Sequence, residues 1–135
     1  MGNKEYAREW LSLSKKNLDT AQVLFDLNHY EDIIGVELQQ CLEKALKSIC
    51  AYQNIKIPRE HDLVKIYFIV EPYIHLENEN IVLLRIATDY YKDDRYPNPN
   101  YFLPSRNEIK EVLEFARNIF NQVCALVGIE QEDLL

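Results

Sequence analysis

Ile34-Gly35-Val36-Glu37-Leu38-Gln39-Gln40-Cys41-Leu42-Glu43-Lys44-Ala45-Leu46-Lys47-Ser48-Ile49 places an apolar residue every three or four positions. Ile34, Leu38, Cys41, Ala45 and Ile49 form the stripe, widened by Leu42 and Leu46, and Tyr52 continues it. That period is the signature of an amphipathic α-helix, which the spacing predicts from Tyr30 to Gln53. Upstream, Ala7, Leu11, Ser14, Leu18, Ala21 and Phe25 repeat the same period, predicting a first helix from Lys4 to Leu27. Only Asn28-His29-Tyr30 separates the two patterns, and so short a break between long amphipathic helices implies an antiparallel pair.

Downstream, Asn54 to Glu60 reads as a connector containing Pro58. His61 or Asp62 caps a short helix bearing Leu63, Ile66, Tyr67 and Val70, which stops before Pro72. The polar run Glu77-Asn78-Glu79-Asn80 starts a fourth helix with Ile81, Leu84, Ala87, Thr88 and Tyr91 on its face. Ser105 followed by Glu108 is a capping box for the last helix, and Gly128 supplies its C-terminal cap. No stretch alternates convincingly at the strand period of two. The expected fold is all-α, a single domain over residues 1–135 built as an up-and-down bundle of five helices, four long and one short.

A chain of 135 residues, 47% of them hydrophobic, can bury a core. A net charge of −7 speaks against nonspecific DNA binding, which needs a dense cationic face. The acidic excess is uneven: residues 1–60 carry eight cations and nine acids, residues 61–135 seven and thirteen. Cys41, Cys50 and Cys124 are an odd set within apolar helical patterns, as expected of buried, reduced thiols in a cytoplasmic protein. The N-terminus has neither the apolar core of a signal peptide nor a myristoylation pattern, and no apolar run is long enough to span a bilayer. His29, His61 and His75 lie in separate turns without metal-ligand spacing, and the three glycines are isolated, so neither a metal, a cofactor nor a glycine-rich phosphate loop is expected.

The candidate site begins where helix gives way to Asp89-Tyr90-Tyr91-Lys92-Asp93-Asp94-Arg95-Tyr96-Pro97. Arg95 can fork onto a phosphate and Tyr96 stack on a base; equally, an aspartate can pair with Arg95 while Tyr96 anchors the loop. If all five helices alternate in direction, Arg95, Tyr96 and Tyr91 lie at the same end as Lys44, Lys47, Arg59, His61 and two helix N-termini, a convergence suited to an anion. His61-Asp62 reads more plainly as a helix cap, while Gln40, Glu43, Lys44 and Lys47 around one side of the second helix read equally as a polar face lining a site or a dimer interface and as a solvated face with Glu43–Lys47 as an i,i+4 pair.

Taken in order, Leu18-Asp19-Thr20-Ala21 with Leu24, the run Gln39 to Lys47, His61-Asp62-Leu63, the segment Tyr91 to Pro97 and an Ala116-containing last helix resemble HEPN domains over nearly the whole chain. The resemblance implies a helical bundle that commonly homodimerises. It also implies RNA cleavage, nucleotide binding, or partnership with a nucleotidyltransferase encoded alongside, in a toxin–antitoxin or defence-type pair. Its ribonuclease branch uses Arg, four to six residues, then His. This chain departs from that pattern, because Tyr90 stands where the imidazole would follow Arg85 and no His follows Arg85, Arg95, Arg106 or Arg117. The loss of the acid/base group favours a non-catalytic protein binding a nucleotide or a nucleotidyltransferase. Two alternatives stay open: a divergent ribonuclease pairing Arg85 or Arg95 with His61, and a purely structural dimerisation module.

Overall fold

The computed structural model describes residues 2–93 and 103–135. Among them are five α-helices and no strand: α1 (Gly2–Asp26), α2 (Glu31–Tyr52), α3 (Leu63–Val70), α4 (Asn78–Asp93) and α5 (Arg106–Val127), followed by a 3-10 turn (Gln131–Asp133). The expected helices are therefore present, and only the terminal turn lacked a periodic signal.

Local chemistry sets the ends. Asn28 takes a left-handed φ of 56° after α1, letting the His29 amide donate to the Leu24 carbonyl at 2.9 Å. The Asp62 side chain caps α3 by accepting from the Val64 and Lys65 amides. Ser105 caps α5 by accepting from the Glu108 amide at 3.0 Å, and Gly128 closes it at φ 75°.

α2 is the axis of the bundle and touches every other helix. Its apolar stripe joins Leu11 and Leu18 of α1, Ile66 and Tyr67 of α3, Leu84 of α4 and Phe120 of α5 in one buried core. α4 comes closest at Gly35, where an added Cβ would meet Tyr90 Cγ at 2.8 Å, so only glycine leaves room for the ring. Cys41, Cys50 and Cys124 are buried and free. Burial pushes the Cys41 thiol to about 12 and the Cys124 thiol to about 11, which keeps them protonated and unreactive.

The direction of the helices corrects one expectation. Arg106, at the start of α5, donates to the Phe25 carbonyl at the end of α1 at 2.7 Å, so these ends coincide. Gly35, near the start of α2, faces Tyr90, near the end of α4. The four long helices thus alternate among themselves, and α4 runs antiparallel to α2 rather than parallel to it. α3 does not count as a crossing. Its 8 residues span about 12 Å against about 33 Å for the 22 of α2, so it cannot traverse the bundle. The end of α4 consequently lies with the start of α2, not with its C-terminal turns.

Candidate functional site

Glu43 organises the polar interior of the molecule. Its side chain is 7% exposed and accepts three hydrogen bonds, from Lys47 Nζ at 2.9 Å, Gln39 Nε2 at 3.0 Å and His61 Nδ1 at 3.0 Å. Gln39, Glu43 and Lys47 succeed one another at four-residue intervals, so α2 itself aligns them. His61 arrives from the connector between α2 and α3, pinned by a bond from Gln39 Nε2 to its carbonyl at 3.1 Å. Burial alone would raise the Glu43 pKa. The hydrogen bonds from Lys47, Gln39 and His61 outweigh it and hold the carboxyl below the ordinary 4.5.

An ionised carboxylate only accepts, so His61 Nδ1 carries the hydrogen and Nε2 is its other edge. The imidazole is 60% exposed and lies beside the Tyr91 ring, with centroids 5.1 Å apart and planes inclined by 30°. On the inner side, Lys47 Nζ stands 6.0 Å from the Trp10 ring centroid. A chain of contacts thus runs from α1 through buried charge to the exposed His61 ring and the half-buried Tyr91 ring beside it, where a planar group could stack and bond to Nε2.

Of the expected site residues, Lys47 and His61 both bond to Glu43, and Tyr91 lies against the His61 ring. Lys44 does not join them. It turns toward α1 and donates to Asn17 Oδ1 at 2.9 Å, while Asn17 donates to Glu37 at 2.9 Å. Lys44 and Lys47 therefore have different hydrogen-bond partners, Asn17 for one and Glu43 for the other. Arg95 and Tyr96 lie outside the described residues. The Glu43–Lys47 pair exists, but buried rather than on a solvated face. The cap is Asp62; His61 serves the carboxylate instead.

Tyr90 occupies the position five residues after Arg85. It is buried, packed on Gly35, and donates to Glu108 Oε2 at 2.6 Å. It fastens α4 to α5 and to α2. Glu43 belongs to the polar face expected on the second helix, but its burial and Gln39 as its donor went unread in the sequence, although a polar residue every fourth position within an apolar helix was a visible signal.

A model of the HEPN domain matches residues 7–127. The chain belongs to the HEPN family. Among individual proteins, it is 28% identical over 116 residues to one from Methanocaldococcus jannaschii named "Putative toxin MJ1304", a match covering 81% of this chain and 74% of that relative. Two solved structures share its fold. TT1696 from Thermus thermophilus superposes with a TM-score of 0.78 at 24% identity, over 93% of this chain and 99% of that one. ST0689, described as an archaeal HEPN homologue, superposes with a TM-score of 0.70 at 20% identity, over 90% and 97%. No helix of this HEPN protein, among the described residues, is long and apolar enough to cross a membrane.

Proposed function

We propose that this HEPN protein works by binding rather than by cleaving RNA, as one half of a toxin–antitoxin type pair whose other member is a nucleotidyltransferase. The observation that carries this reading is Tyr90. Where the ribonuclease signature would place an imidazole, the chain has a phenol that is buried and bonded to Glu108. A phenol that is buried and engaged as a donor to a carboxylate cannot take the part of an exposed imidazole in proton transfer. The relative named as a toxin supports the two-component setting.

The ligand is a nucleotide held at the His61–Tyr91 face. The two rings offer stacking and Nε2 a polar contact, while Arg95 and Tyr96, four and five residues beyond Tyr91, supply the phosphate fork and a further ring. The working unit is a homodimer. Calorimetric titration with ATP, GTP and nucleoside monophosphates tests the nucleotide. Saturable heat that weakens at least tenfold in Arg95→Ala and in His61→Ala is expected; no heat at millimolar nucleotide overturns it.

One observation favours a second reading. The Glu43–His61 pair is a carboxylate-oriented imidazole, the arrangement a divergent ribonuclease would need. Incubation with tRNA and mRNA decides between them: cleavage abolished by His61→Ala supports the ribonuclease, and intact RNA supports the binding protein.

A further inference from the structure

α4 and α5 pack less closely than the other neighbouring helices and leave a cleft of about 220 Å³ between them. Leu83 of α4 with Phe115 and Ile119 of α5 supply the apolar part of its lining, and Asn80, Asn118 and Gln122 supply uncharged polar groups. Glu111 and Glu114, exposed and one turn apart on α5, stand at its rim. Among the described residues neither carboxylate makes an ion pair with a basic side chain. The cleft also lies in the half of the sequence that carries seven cations against thirteen acids.

We propose that this cleft receives a lysine or arginine side chain of a protein partner. Such side chains have an aliphatic stem that rests on apolar surface and a polar, charged head, matching a lining that combines three apolar side chains, three amides and two carboxylates. The volume falls below the roughly 300 Å³ at which drug-sized ligand pockets begin, so it suits one side chain rather than a nucleotide. The rim would repel phosphate. A metal ion is a poorer fit, since among the described residues no three His, Cys, Asp or Glu side chains gather to hold one. The inference does not depend on the nucleotide reading, because the His61–Tyr91 face is built from α2, the α2–α3 connector and the end of α4.

A short acetylated, amidated alanine–leucine peptide with one central lysine is the probe, titrated into the isotopically labelled full chain and followed by amide shifts. Saturable shifts are expected at Leu83, Phe115 and Ile119. The same peptide with norleucine in place of lysine is expected to bind at least tenfold more weakly, as is the lysine peptide to Glu111→Gln/Glu114→Gln. Both substitutions are on the surface, so an unchanged melting temperature shows the double variant folded. Shifts spread over the whole acidic surface, equal binding by the norleucine peptide, or undiminished binding to the double variant would each overturn the proposal. So would saturation by spermidine with no response to the lysine peptide, which would make a free polyamine the occupant.

Discussion

At the scale of single residues, Glu43 is the position with most at stake. A carboxylate inside a helical core is tolerated because three donors surround it, and removing it strands Lys47, whose side chain is only 6% exposed. Glu43→Ala is expected to cost about 3–5 kcal/mol in urea unfolding, the usual consequence of leaving a buried charge unpaired. A loss under 1 kcal/mol would mean that Lys47 simply swings out to water. Gly35 tests packing instead. Alanine favours a helix over glycine by about 1 kcal/mol, but here its Cβ would lie 2.8 Å from the Tyr90 ring. Overpacking of about 1–3 kcal/mol should win, giving a net loss for Gly35→Ala that disappears in a Tyr90→Ala background.

Elements were read from the chain with more success than contacts, and the reason is local. Helix periods and capping groups sit within a few residues of what they control, as the Asp62 and Ser105 caps show. Asp62→Ala should lower stability by about 1 kcal/mol by freeing the Val64 and Lys65 amides, whereas Asp62→Asn should be nearly neutral. Equal losses in both would shift the credit from the cap to charge. What periodicity could not reveal is that α3 rides along the bundle instead of crossing it. That depends on its length relative to its neighbours, which no repeat within α3 records.

At the scale of the molecule, the depressed Glu43 pKa makes stability depend on pH. The unfolded chain takes up the proton first as the solution is acidified, so the contribution is complete above 4.5 and is lost as pH falls through the lower folded value. Thermal unfolding from about pH 6 to about pH 3 should show a fall in melting temperature that is shallower in Glu43→Gln. Identical slopes would assign the acid sensitivity to other groups. The proposed homodimer is checked by sedimentation: twice the 16.0 kDa chain mass is expected at micromolar concentration, and a monomer throughout would remove it.

The five helices, their order, their caps and the all-α class follow from the sequence by itself, since each is dictated by spacing over a turn or two. So does the missing imidazole after Arg85, which is a matter of residue identity. Only the tertiary structure decided that His61 meets Glu43 across 18 positions, that Lys44 goes to Asn17 across 27, and that Tyr90 is locked to Glu108. Those partners are chosen by how helices of unequal length pack around α2, and packing is a property of the folded whole that no local repeat encodes.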